Sequence, residues 1–174
     1  MKGKHPFVKW AIKVIESKIR DGIELKPDPK ELPSELFERR AGVFVTLHKA
    51  SGELRGCIGT FLPTTTDIAH EIARNAISAA LEDPRFEPVN VEELDSIIVS
   101  VDVLSTPEEI GSLDELDPKK YGIIVESGWR RGLLLPDLEG VDTIEQQIQI
   151  AKAKAGIYGQ ENVKIYRFTV ERYH

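Results

Sequence analysis

The sequence predicts an α/β (α+β) protein: a largely antiparallel sheet flanked by helices, followed by a second, smaller lobe. Three observations predict it. Two stretches with helical apolar periodicity, residues 6–20 and 67–82, enclose two strand-like stretches, 43–49 and 54–60, joined by a short turn. A second pair of strand-like stretches, 121–126 and 130–135, is joined tightly around Ser127-Gly128. Connections this short make antiparallel pairs. The length of 174 residues, 41% of them hydrophobic and 30% charged, suits one domain with a sizeable core.

In the first helix Phe7, Trp10, Ala11, Val14, Ile15 and Ile19 recur near the helical period, and Asp21-Gly22 ends it. A loop with Pro27, Pro29 and Pro33 follows, and Ser34 is expected to cap a short helix over 35–40. The next two stretches read as a hairpin turning at Ala50-Ser51-Gly52-Glu53. Setting Lys49 opposite Leu54 puts Val43, Val45 and Leu47 on one face with Leu54, Gly56 and Ile58. It also sets His48 opposite Arg55 and Thr46 opposite Cys57. A slip of one residue would bury Arg55 among the valines, at a cost for the charge. The expectation is one apolar face, with Leu54 and Ile58 in the core, and one face carrying Thr46, His48, Arg55 and Cys57.

Thr65 or Thr66 is placed to cap the helix over 67–82, whose stripe runs Ile68, Ala69, Ile72, Ala73, Ala76, Ile77, Ala80 and Leu81. A strand, a Thr-rich loop and a helix N-terminus in succession suit an anion, although no P-loop sequence is present. Asp83-Pro84-Arg85-Phe86 breaks the helix; Asp83 and Arg85 either pair with each other or leave Arg85 to a site. Residues 97–104 read as a central strand in which Asp102 is the polar exception and a candidate buried partner for one of the arginines. The Pro- and acid-rich stretch 106–117 is the expected crossing into the smaller lobe. Trp129, Arg130 and Arg131 read either as a basic rim with one arginine on the indole or as an anion clamp. Thr143 with Gln146 makes a capping box for a helix to residue 155, and Gly156 stops it. Residues 163–173 read as a last strand returning to the main sheet. The expected lobes are about 1–105 plus 160–174, and about 106–159.

Several function classes are disfavoured. A net charge of −6 argues against general nucleic-acid binding. No apolar run approaches a membrane span, no secretory signal core is visible, and a single cysteine excludes an internal disulfide, so the cytoplasm is the expected location. His5, His48, His70 and His174 lack metal-ligand spacing, and His70-Glu71 does not open a zincin helix because position 74 is arginine. No nucleophile elbow supports a serine triad. No metal or cofactor is expected.

The one cysteine lies in Leu54-Arg55-Gly56-Cys57-Ile58-Gly59, beside an arginine and between glycines that weaken a strand. Such a run implies either tight backbone packing or a site. It resembles the signature hexapeptide of the AMMECR family, named for a chromosomal region (Alport syndrome, intellectual disability, midface hypoplasia, elliptocytosis). Asp83-Pro84-Arg85-Phe86-Glu87-Pro88-Val89 and Arg130-Arg131-Gly132-Leu133-Leu134-Leu135-Pro136 resemble the family pattern too. The resemblance implies a two-part fold with the hexapeptide lining a cleft between the lobes, and prokaryotic association with Memo-type and radical-SAM proteins. It implies no settled activity. Many members carry a second cysteine just before a Lys-Ala-Gly; here Lys152-Ala153 precedes Lys154-Ala155-Gly156, which does not support a two-thiol mechanism within the chain. Cys57 is the candidate nucleophile, set against the ordinary role of free cysteine as a small buried hydrophobe. The candidate ligand contacts are His48, Arg55, Gly56, Gly59, Arg85, Arg130 and Arg131. Two functions follow: binding or transforming a small anionic ligand in the cleft, or a non-catalytic adaptor for a Memo-type or radical-SAM partner.

Overall fold

The computed structural model describes residues 1–159 and 161–174. Eight strands are described: β1 (Val43–His48), β2 (Leu54–Thr60), β3 (Ile98–Leu104), β4 (Glu108–Glu109), β5 (Gly122–Ser127), β6 (Arg130–Leu134), β7 (Lys164–Phe168) and β8 (Val170–Tyr173). The helices are α1 (Pro6–Asp21), α2 (Ile68–Leu81) and α3 (Ile144–Lys154). The chain divides into two units, Met1–Val103 with Glu171–His174, and Leu104–Val170. Among the described residues no helix is long and apolar enough to cross a membrane.

The first unit holds a sheet of order β2-β1-β3-β8, with β1 antiparallel to both β2 and β3. Alternation turns Val43, Val45 and Leu47 to the same side as Val99, Val101 and Val103, and all six are buried. That side is closed by the apolar stripes of α1 and α2; Ile15, Ile68, Ile72 and Ala76 belong to the same core. Trp10 of α1 donates its indole N–H to the Ala69 carbonyl at 2.9 Å, so the largest side chain of α1 also satisfies its one polar atom. Gly56 lies opposite Leu47 on this side. A Cβ there would stand 2.2 Å from the Ala79 carbonyl oxygen, so glycine is what allows α2 to cross β2 this closely.

The second unit holds a sheet of order β4-β7-β5-β6, antiparallel throughout, with α3 packed on β5 and β6. Ile123, Val125, Leu134, Val141, Ala151 and Ile157 form its core. Thr143 and Gln146 make the expected capping box, and Gly156 takes the left-handed conformation at φ 66°. Gly132 repeats the device of Gly56: its Cβ would lie 1.9 Å from the Ala151 carbonyl oxygen of α3.

Four expectations are corrected. The N-cap of α2 is Asp67, whose carboxylate accepts from the His70 N–H, because Thr65 is engaged with Glu71 instead. The turn after Pro33 is a single 3-10 turn, Ser34–Leu36. Residues 163–173 form two strands in different sheets. The Thr169 N–H is taken by the Ser105 hydroxyl and its carbonyl by the Ser105 N–H, both at 2.9 Å, which interrupts one ladder before the next begins. The hairpin keeps its expected register from Val43 opposite Thr60 to Leu47 opposite Gly56, but a bulge then sets His48, not Lys49, opposite Leu54. Arg55 is the additional residue, and Leu54 is 37% exposed rather than in the core.

Ile72→Ala should lower the unfolding free energy by about 2–5 kcal/mol in denaturant titration, as a buried large-to-small change does. A loss below about 1 kcal/mol would mean that the stripe is not packed. Gly56→Ala and Gly132→Ala, measured the same way, should each cost at least about 1–3 kcal/mol, because the obstructing atom is helix backbone rather than a rotatable side chain.

Candidate functional site

β2 is an edge strand, and Cys57 turns both of its backbone groups away from β1. Its N–H donates to Asp83 Oδ2 at 2.9 Å, and its carbonyl accepts from Arg85 Nη2 at 3.2 Å. The two side chains stand where a neighbouring strand would supply an acceptor and a donor. They are joined to each other by Arg85 Nε to Asp83 Oδ1 at 2.9 Å and Arg85 Nη2 to Asp83 Oδ2 at 2.7 Å. The local sequence explains the placement. α2 ends at Leu81, Pro84 prevents its continuation, and a turn from Asp83 O to Phe86 N brings the carboxylate back to the strand. The Arg85 guanidinium holds the Asp83 carboxyl well below the usual carboxylate range, helped by the backbone donors of Cys57 and Arg85 and opposed by burial.

Arg55, at the bulge, is almost fully buried and makes a bidentate pair with Glu93, Nε to Oε2 at 2.7 Å and Nη2 to Oε1 at 2.9 Å. Glu93 belongs to the 3-10 turn Val91–Ser96 and also closes the capping box of Asn90. The guanidinium groups of Arg55 and Arg85 both approach the Phe86 ring, at 6.0 and 5.5 Å from its centre.

The Cys57 thiol is partly buried and lies 3.3 Å from Thr46 Oγ1, as the register predicts. Burial pushes its pKa up, outweighing the opposing effects of the Thr46 hydrogen bond and the Arg85 charge; Asp102 and Asp83 add to the rise. A thiol whose pKa is raised gives up its proton less readily than free cysteine does. Gly59 is opposite Phe44, and a Cβ on it would overlap that ring at 2.2 Å. Both glycines of the hexapeptide are therefore explained by packing. His48 is half-buried at the end of β1.

Arg130 and Arg131 belong to β6 of the second unit. Arg130 donates to the Gly156 carbonyl at 2.8 Å and pairs with Glu161, and Arg131 pairs with Glu126. Neither is stacked on Trp129, which stands 90% exposed. The four candidate arginines thus each hold a carboxylate: Glu93, Asp83, Glu161 and Glu126.

Of two further buried acids, Asp102 was expected to meet an arginine and Glu71 was not singled out. Asp102 does receive an arginine, Arg172, at 2.8 and 2.9 Å. Glu71, fully buried on α2, accepts from the Thr60 hydroxyl at 2.5 Å and from the N–H and hydroxyl groups of Thr64 and Thr65 at 2.8–2.9 Å. Burial pushes its carboxyl up, but these donors prevail and its pKa is lowered. The strand, Thr-rich loop and helix start do hold an anion, and it is the chain's own carboxylate. Its one signal in the sequence is an acid set between Ala69 and Ile72.

Asp83 gives a pH prediction. Its folded pKa is depressed, so its contribution is complete above the unfolded value of about 4 and is lost as pH falls below it. Asp83→Asn should cost about 1–3 kcal/mol at neutral pH. In urea titrations the gap from the wild type should be constant above about pH 5 and shrink below pH 4; a gap that persists unchanged in acid would contradict the pairing.

The AMMECR1 family model matches residues 8–173. A protein of Thermotoga maritima is 63% identical over 174 residues, covering 99% of both chains. A protein of Clostridium acetobutylicum is 48% identical, covering 98% of this chain but 36% of its own length. The crystal structure of an uncharacterised protein from Pyrococcus horikoshii aligns with a TM-score of 0.84 at 37% identity, covering 95% of this chain and 88% of that one. With the hexapeptide, the Asp83 turn and the β6 motif all inside the matched span, the chain belongs to the AMMECR1 family.

Proposed function

We propose that the protein binds a small organic anion at the Arg85 edge of β2, with no covalent step at Cys57. The observation that carries this reading is the state of Arg85. Its side chain is 55% exposed, yet Asp83 and the Cys57 carbonyl hold it through Nε and Nη2. Nη1 makes no hydrogen bond among the described residues. An exposed guanidinium fixed by a buried carboxylate presents planar donors to carboxylate or phosphate with little ordering left to do. Arg55 is buried against Glu93 and acts as support. The raised thiol pKa is the reason for leaving Cys57 out of covalent chemistry.

The adaptor reading has an observation of its own. Trp129, at the β5–β6 turn, and Tyr158, beyond α3, are exposed aromatics in the second unit, and such residues are enriched at protein interfaces. In the Clostridium acetobutylicum relative, moreover, the matching part is 36% of a longer chain. A Memo-type or radical-SAM protein is the partner to test. Trp129→Ala should abolish co-elution with it in size-exclusion chromatography if this surface is used, and unchanged co-elution would reject it.

For the anion reading, millimolar inorganic phosphate should raise the melting temperature of the wild type above that in chloride of equal ionic strength. Arg85→Ala should show no such rise, and Cys57→Ser should keep it. A rise that survives Arg85→Ala moves the site elsewhere. Iodoacetamide should modify native Cys57 slowly at pH 7, with a rate that climbs only in the alkaline range. Fast alkylation below pH 7 would restore the nucleophile.

A further inference from the structure

Among the described residues, two arginines have no carboxylate partner, and both reach the loop between β2 and α2. Arg40, just before β1, donates from Nε to the Thr65 carbonyl at 2.8 Å and from Nη2 to the Pro63 carbonyl at 3.4 Å. Arg74, on α2, donates from Nη1 to the Thr64 hydroxyl at 3.0 Å. Every other arginine of the chain has a carboxylate within 3.6 Å. Acidic residues outnumber basic ones by 29 to 23, so an arginine left to neutral acceptors is the exception here.

The acids of this region are already engaged. Glu71 is buried and filled by the donors of Thr60, Thr64 and Thr65. Asp67 is buried and accepts from the Thr66 hydroxyl and the His70 N–H. The carbonyl and hydroxyl acceptors therefore orient both guanidinium groups without neutralising them. Each keeps donors in reserve: Nη1 of Arg40, and Nε and Nη2 of Arg74, have no partner among the described residues. Groups ordered in advance lose less freedom when a ligand arrives.

Both guanidinium groups lie one hydrogen bond from the stretch Pro63 to Thr65, which sets them on the order of 10 Å apart. One small anion does not bridge that separation well. Carboxylates on alternate residues of an extended segment stand roughly 7 Å apart and reach both cations.

We propose that this loop, with Arg40 and Arg74, is a docking surface for an acidic segment of a partner protein, extended and carrying carboxylates on alternate residues. The surface is separate from the anion reading of Arg85. It lies at the start of α2, and Arg85 follows the end of that 14-residue helix, about 20 Å along its axis. A net charge of −6 repels acidic chains in general, so attraction here is local and falls with salt.

The test is a nuclear magnetic resonance titration at low ionic strength with a short peptide alternating glutamate with glycine, and with its glutamine counterpart. The glutamate peptide should move the amide signals of Thr64, Thr65 and Thr66, and the glutamine peptide should not. Arg74→Gln should weaken the glutamate peptide about three- to tenfold, the value of one charge-assisted contact. Arg74 is exposed and glutamine is a good helix former, so this variant keeps the fold. Arg40→Gln should weaken binding to a similar extent. Arg20→Gln, which removes an arginine already paired with Asp95, should leave it unchanged. Unmoved loop signals, or an affinity indifferent to Arg74→Gln, would overturn the surface. Movement confined to Cys57 and Arg85 would overturn it too, by assigning the peptide to the proposed anion site. Inorganic phosphate moving the same loop signals as strongly as the peptide would show a site for one small anion and overturn the docking of a segment.

Discussion

The signature strand depends on the two hydrogen bonds that close its outer edge. Cys57 offers a donor and an acceptor with no strand beside them, and the Asp83–Arg85 pair satisfies both. An open edge leaves backbone groups available for pairing with other chains, and proteins generally cover it. Here the cover comes from side chains on the turn after α2, so the helix exit and the strand are tied at one residue. The same pair gives Arg85 its orientation. Two motifs that lie far apart in the sequence, the hexapeptide and the Asp83-Pro84-Arg85-Phe86 turn, are thus a single structural object.

The hexapeptide looks like a catalytic loop in sequence because it combines a thiol, an arginine and two glycines. In the fold the arginine and both glycines have a mechanical reason. Gly56 admits the α2 backbone, Gly59 admits the Phe44 ring, and Arg55 is neutralised by Glu93. Gly132 plays the part of Gly56 in the other unit, against Ala151. Close helix–strand crossing through a glycine is therefore a construction used twice in this chain, and a glycine-rich strand need not announce ligand chemistry.

The parts of the fold that were legible are those set by local pattern. Alternation in Val43-Phe44-Val45-Thr46-Leu47-His48 fixed which faces meet, and placed Thr46 against Cys57. The Thr143 box and Gly156 marked both ends of α3. What was missed was set by distant partners. The bulge at Arg55 accompanies a bond to a glutamate 38 residues away, which periodicity does not contain. The expected single strand over 163–173 divides at Thr169, whose N–H is captured by Ser105. At the candidate site the Asp83–Arg85 pair was one of two alternatives that the sequence offered. The pairing of Arg55 with Glu93 was not, because that partner is remote in sequence.

Charge balance sets the final constraint on chemistry. Burial raises the thiol pKa more than the Thr46 hydrogen bond and the Arg85 charge lower it, Asp102 and Asp83 add to the rise, and Arg85 is itself paired with Asp83 at 2.7 Å. The same pairing does not prevent recognition. A guanidinium has five donors in a fixed plane, and a carboxylate on one edge leaves others for a second anion. The arrangement that leaves Cys57 buried also fixes Arg85: the buried acid supplies its orientation, and the proposed anion would meet only the donors that Asp83 and the Cys57 carbonyl leave over.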